Sequence, residues 1–278
     1  MPSQEQSMKT IALLFLGLLV SSSSLVQARE CPQHYANGST PEIVSPKLAS
    51  KTTSLCFEAF AVMHSGISRT PLWSAEFLDA DRISDAKSIK RRDAFEAEER
   101  IRPSERAELR DYARSGFDRG HMSPAGDMPT SSAKEESFSL ANIVPQNPDN
   151  NQNLWASIEE RTRSLARDRG KLYVITGPIF EGASVQRLNG RVLVPTHVFK
   201  AVYDPVRKEA AAWVAENEPG PAYEVVTIAE LEKRIQINLF PGMPDGIKRA
   251  RMKLPEPKQP RKRRSEQPMP TWLDRILQ

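Results

Sequence analysis

Only two cysteines and four histidines occur in the 278 residues. That scarcity excludes a multi-cysteine zinc or iron–sulfur framework, and it leaves any metal chemistry to oxygen or histidine ligands. With 13 glycines and 22 prolines the chain is not collagen-like, and with 39% hydrophobic and 27% charged residues it is not disordered throughout. The apolar run Ile11–Val20 is ten residues long, half of the roughly 20 needed to span a bilayer. The bulk of the chain also lacks a basic excess. Residues 247–278 hold ten Lys/Arg against three Asp/Glu, a net of +7, which leaves the first 246 residues with 29 basic against 32 acidic, a net of −3. The overall pI of about 9.1 therefore describes a tail, and nucleic-acid binding cannot be argued from it.

What is present begins with a processing signal. Lys9, the run Ile11–Val20, a serine stretch and Val26-Gln27-Ala28 follow the pattern of a secretory signal over residues 1–28, cut after Ala28. Met8 offers a start that leaves a cleanly positive leader. The expectation is a secreted or periplasmic chain with no membrane span after signal removal. Cys31 and Cys56 then lie in an oxidising compartment, where an even pair predicts a disulfide; the alternative is two separate thiols, with Cys56 a small buried hydrophobe.

Turn residues and periodicity divide the remainder into an N-terminal segment 29–52, a body 53–246 and a basic, disordered tail 247–278. Ser54 to His64 and Leu72 to Leu78 read as strands, Pro103 to Arg114 as a helix, Asp118 to Pro129 as a loop, and Asn151 to Asp168 as the clearest helix. Lys171 to Phe180, Val192 to Tyr203 and Glu209 to Glu216 are strand candidates, with Asn189-Gly190 as a turn signal. Thr227 with Glu230 forms a capping box opening a helix to about Ile237. The fold class expected is α+β, a central antiparallel sheet flanked by helices.

Chemistry concentrates in Phe117-Asp118-Arg119-Gly120-His121-Met122-Ser123-Pro124-Ala125. Here a histidine sits among small and turn residues, where a ligand can approach the backbone. Its ordinary pKa of about 6.5 suits a general base near neutral pH. His34 falls in the mobile entry segment, while His64 and His197, in or beside strands, read as structural imidazoles.

This segment resembles the signature of the DNA/RNA non-specific endonuclease family, an Asp-Arg-Gly-His motif followed by Ala. A second block follows in the family's order: Asn142-Ile143-Val144-Pro145-Gln146, then Asn151-Gln152-Asn153-Leu154-Trp155, then Glu159. Arg69-Thr70-Pro71-Leu72-Trp73 is a softer likeness, and the similarity runs from about Thr53 to Gly242. The resemblance implies a ββα-metal nuclease fold with His121 as proton acceptor and Asn151 as sole protein ligand of Mg²⁺, with Mn²⁺ as an alternative. It further implies Glu159 orienting metal-bound water, and Arg119, Arg163 and Arg69 holding phosphate and transition-state charge. Asn142 and Asn150 are the alternative asparagines; Asn142 reads as a loop brace and Asn150 as a helix cap.

The helical spacing of Asn151 and Glu159, about 12 Å along the axis, prevents a shared coordination sphere but lets Glu159 lean back toward a water on the ion. Glu159 and Arg163 also fit an i,i+4 salt bridge. The expected partners are DNA and RNA; a protein inhibitor or a homodimer is not indicated by any residue. Two rivals stand beside this reading, a binding protein that keeps the fold without catalysis and a toxin sharing the chemistry. For the tail, phosphate contacts, anionic membrane contacts and a solvated extension remain open.

Overall fold

The computed structural model describes residues 31–90 and 92–258. The signal expected over 1–28 and the residues from 259 onward lie outside them. The principal strands are β1 (Thr52–Cys56), β2 (Phe60–Ser65), β3 (Thr70–Asp79), β4 (Asp118–His121), β5 (Ile143–Gln146), β6 (Lys171–Ile179), β7 (His197–Asp204), β8 (Glu209–Glu216) and β9 (Tyr223–Val226). The principal helices are α1 (Ala80–Ser88), α2 (Ala156–Arg169) and α3 (Ile228–Ile235). Seven strands form one sheet in the order β9-β8-β7-β6-β3-β2-β1, with every pairing antiparallel.

Strand β8 shows why two cores result. Its side chains alternate between faces. Ala210, Ala212 and Val214 join a cluster with Trp73, Phe199 and the α3 residues Ile228, Leu231 and Ile235. Ala211, Trp213 and Ala215 join a second cluster with Trp155, Ile158 and Leu165 of the α2 region. The expected α+β arrangement, a central antiparallel sheet flanked by helices, is observed, and the Asp118–His121 segment lies on the α2 side.

Several elements differ from expectation. The strand read over Ser54 to His64 is the hairpin β1–β2, turned at Phe57-Glu58-Ala59. Glu58 is the one polar residue between Leu55 and Met63, and its carboxylate accepts hydrogen bonds from the Thr130 and Ser132 hydroxyls. The Pro103 to Arg114 helix shrinks to one turn, Leu109–Tyr112. Helix-forming residues without an apolar stripe have no core face to bury, and Arg106 instead binds Glu108 and the Glu98 carbonyl. The loop read from Asp118 opens as strand β4, paired with β5. The strand over Val192 to Tyr203 breaks around Pro195. Val192–Leu193 folds back on Arg187–Leu188 through Asn189 and Gly190 (φ 49° and 66°), while β7 begins at His197. Asn150–Trp155 is a wide π-type turn leading into α2. The capping box at Thr227 and Glu230 is formed, but α3 stops at Gln236 (φ 58°), and Ile237–Asn238 pairs with Glu42–Ile43.

Both expected boundaries of the body move outward. Cys31 is bonded to Cys56 with Cα atoms 5.8 Å apart, His34 donates to the Phe57 carbonyl, and Tyr35 packs edge-on against Trp73. At the other end Met252 and Leu254 are buried beside Trp213, so the chain remains folded well past Gly246. Among the described residues no helix is long and apolar enough to cross a membrane.

Candidate active site

Strands β4 and β5 and helix α2 together present the motif residues. Gly120 faces Gln146 so closely that a Cβ would lie 2.7 Å from Gln146 Cβ, so the pairing of the two strands requires glycine here. Gln146 donates to Asn150 Oδ1 (2.7 Å), and Asn150 Nδ2 donates to the Glu216 carbonyl (2.7 Å). Asn150 is therefore a buried link between β5 and the sheet and not the helix cap expected; Asn147 Oδ1 accepts from the backbone N–H groups of Asp149 and Asn150.

His121 ends β4, 8% exposed, with its ring 5.3 Å from Phe95 and 5.0 Å from Phe138, nearly perpendicular to the latter. The two residues after it are pinned from several sides. Asn142 Oδ1 accepts from Ser123 N, and Asn142 Nδ2 donates to the Ser123 and Ser137 carbonyls, which is the brace expected of it. Ser123 Oγ bonds Ser74 Oγ at 2.8 Å. The buried Lys200 ammonium donates to Thr176 Oγ1 (2.7 Å) and the Met122 carbonyl (3.4 Å). Such fixed neighbours hold an imidazole in one orientation.

Asn151 stands half-buried in the wide turn before α2. Its Nδ2 donates to Asp118 Oδ2 at 2.9 Å, and Gln152 Nε2 donates to the same oxygen at 2.9 Å. The strand that ends in His121 is thus bonded to the segment that carries Asn151. With its nitrogen committed to Asp118, Asn151 has its amide oxygen left as the acceptor. A neutral oxygen donor suits a hard divalent cation such as Mg²⁺ that retains most of its waters. Among the described residues no group of three or more His, Cys, Asp or Glu is arranged to hold a metal.

The remaining expected residues divide. Arg119 is exposed, its guanidinium carbon 4.1 Å over the Phe95 ring. Glu159 is half-buried on α2. Arg163 pairs with Asp127 (2.8 Å) and Glu160 (3.0 Å), and it packs over Gly126. Burial works against the charge of Arg163, but Asp127 and Glu159 outweigh it and hold the guanidinium protonated. Arg69 is not drawn into the site by any bond. It donates to the Ser104 carbonyl through Nε and Nη2 and to the Arg191 carbonyl through Nη1, so its fork braces two loops where phosphate contact was expected.

Phe95, Asp118, Asp127 and Lys200 are site neighbours that sequence reasoning left without a role. Asp118 lies inside the motif itself, and an acid amid the loop glycines and prolines signals Asp127. Phe95 and Lys200 reach the site only through the fold. His34, expected in a mobile entry segment, is instead buried and bonded to the Phe57 carbonyl; His64 Nε2 donates to the Glu105 carbonyl, and His197 Nδ1 lies 3.1 Å from Thr196 Oγ1.

Known proteins with this arrangement were found by sequence and by shape. Nuclease C1 of Cunninghamella echinulata var. echinulata is 33% identical over 182 residues, covering 61% of this chain and 72% of that protein. The mitochondrial nuclease of Saccharomyces cerevisiae is 30% identical, covering 69% of this chain and 67% of its own. Human mitochondrial endonuclease G is 34% identical over 156 residues, 52% of each chain, so the chain spans about half the length of that relative. A chain of the solved EndoG/EndoGI complex superposes with a TM-score of 0.62 at 25% identity, covering 66% of this chain and 84% of that one. The sheet, the β4–β5–α2 unit and this likeness are those of a ββα-metal nuclease. Residues 37–246 match the model of the DNA/RNA non-specific endonucleases, and the chain belongs to that family of enzymes acting on nucleic acids.

Proposed function

We propose that this protein is a secreted or periplasmic endonuclease that hydrolyses phosphodiester bonds of both DNA and RNA with the help of Mg²⁺ or Mn²⁺. The observation that carries the reading is the Asp118–Asn151 bond, which couples the strand of the candidate base to the asparagine and commits the Asn151 nitrogen, leaving its amide oxygen as the acceptor. Asn151 would hold the cation, which when bound would supply positive charge that stabilises the negative charge developing on the phosphate.

Neutral His121 takes a proton from water as the water oxygen attacks phosphorus. The bond from phosphorus to the 3′ oxygen breaks, and the products carry 5′ phosphates and 3′ hydroxyls. Because water is the nucleophile, a 2′-hydroxyl is not needed, and both nucleic acids are substrates. Glu159 orients water at the site, while Arg119 and Arg163 place positive charge beside the phosphate. Export is supported by the leader pattern over residues 1–28 and by the Cys31–Cys56 disulfide, which persists in oxidising compartments.

The test is digestion of plasmid DNA and single-stranded RNA in Mg²⁺ and in EDTA, by the wild type and by His121→Ala. Metal-dependent cutting of both, lost by about 10²-fold or more in the variant, is the expected result. A folded wild type that binds both substrates and cuts neither in Mg²⁺ or Mn²⁺ returns the protein to the binding-protein class.

A further inference from the structure

A pocket of about 290 Å³ opens beside β4, between the single helical turn Leu109–Tyr112 and the first residues of the strand. Its walls are Leu109, Tyr112, Ala113, Phe117, Asp118 and Arg119. Two of these belong to the motif. Asp118 bonds Asn151, and Arg119 lies over the Phe95 ring, which also faces His121. The pocket thus adjoins the residues that carry the candidate chemistry.

The wall opposite the strand is held in place from outside. Arg191 Nε donates to Asp111 Oδ1 (3.0 Å), Arg191 Nη2 to the Arg106 carbonyl, and Asn189 Nδ2 to the Arg110 carbonyl (3.0 Å). Tyr112, in that wall, is 7% exposed, and its hydroxyl is buried with no hydrogen-bond partner. Burial, reinforced by Asp111, holds the phenol well above its ordinary pKa despite the pull of Arg119, so the group is a neutral donor. A buried polar atom without a partner is costly, and an acceptor on a ligand relieves that cost. At the mouth Leu109 and Ala113 are exposed and Phe117 is half-buried. Apolar walls with one buried donor and a guanidinium suit a flat heteroaromatic ring bearing acceptors on its edge, which is the chemistry of a nucleobase. A bare phosphate would leave Leu109 and Phe117 unmatched.

We propose that this pocket is a subsite for one nucleobase of the substrate strand, next to the phosphate to be cut, and that Tyr112 fixes the base by donating from Oη to a keto oxygen or ring nitrogen while Leu109 and Phe117 supply apolar contact. This rests on the nuclease reading for the ligand's being a nucleic acid. A pocket that takes one base requires that base to be unstacked, so the subsite favours single strands and unpaired positions over an intact duplex.

The test uses the full mature chain, Tyr112→Phe, and Ala113→Trp, which fills the pocket from its exposed rim. The substrate is a single-stranded octanucleotide with one phosphodiester at its centre and phosphorothioates elsewhere, so that a single bond is cut. It is made with all its bases and with an abasic residue at each of the four central positions in turn. In Mg²⁺ an abasic residue at one of these positions raises the wild-type KM about tenfold. Tyr112→Phe raises KM for the intact strand about three- to tenfold and matches the wild type on that abasic strand, where the hydroxyl has nothing to bind; Ala113→Trp behaves likewise. Indifference of the wild type to all four abasic positions would overturn the proposal. So would a loss in Tyr112→Phe of equal size on intact and abasic strands, which is the mark of a structural role or of a contact to the backbone. Equilibrium binding of the same strands in EDTA separates the two readings: a wild type that prefers the intact strand about tenfold and cuts nothing in Mg²⁺ or Mn²⁺ keeps the base subsite and ends the nuclease reading.

Discussion

Glu76 is the residue on which charge and burial conflict most sharply. It lies on β3 facing the α2 side, 1% exposed, and both carboxylate oxygens are buried without a hydrogen-bond partner. Burial, reinforced by Asp127, holds its pKa well above the ordinary 4.5 despite the opposing pull of Lys200 and Arg82. The folded state therefore keeps a proton that the unfolded chain releases. Stability from this group is complete below about pH 4.5 and declines as pH rises toward the raised value. Glu76→Gln should match the wild type in urea denaturation at pH 4 and exceed it at pH 8. A variant that is less stable at pH 8 would mean that the ionised carboxylate is what Lys200 and its neighbours require.

Among the elements, the β1–β2 hairpin depends on a clamp that propensity cannot supply. The Cys31–Cys56 bond closes a loop of 25 residues and fixes the 31–36 segment, where Tyr35 covers Trp73. On the loop-entropy account a closure of this length contributes about 3.5 kcal/mol. Cys31→Ser/Cys56→Ser should lower the unfolding free energy by about 2 to 4 kcal/mol while leaving nuclease turnover near that of the wild type at 25 °C, because β4, β5 and α2 lie elsewhere. An unchanged denaturation midpoint would show that burial of Tyr35 holds the segment without the bond. The element scale is also where periodicity misled. The run from Leu55 to Met63 is apolar because both hairpin strands are inward, and Pro103 to Arg114 is rich in helix formers yet is held as turns by Arg69, Arg106 and Arg191.

For the whole molecule, two buried imidazoles set the acid limit. Burial pushes His34 and His64 down to about 4, against weaker opposing hydrogen bonds to the Phe57 and Glu105 carbonyls. Both are 1% exposed. The unfolded chain protonates them near pH 6.5 while the folded state resists, so their stability is present above about 6.5 and is lost as pH falls through about 4. Each contributes up to about 3 kcal/mol of that loss. Denaturant midpoints should fall between pH 6.5 and 4, and more shallowly in His64→Gln; parallel curves for wild type and variant would reject His64 as a source. Glu76 acts in the opposite sense, so the two effects together confine maximum stability to the region around neutrality.

The candidate motif of this protein is visible without a structure. Asp118-Arg119-Gly120-His121, Asn151 and Glu159 lie close enough in sequence to be recognised by order and spacing, and the Thr227–Glu230 cap is a contact three residues long. The antiparallel sheet was likewise readable from β-branched and aromatic runs such as Lys171 to Phe180. Tertiary structure alone decided what each charge is used for. Arg69 meets carbonyls 35 and 122 residues away, and Arg163 meets Asp127 across 36. Such partners follow from where the sheet order places the strands and loops, and a charged side chain carries no mark in its own neighbourhood of which distant group will desolvate or neutralise it.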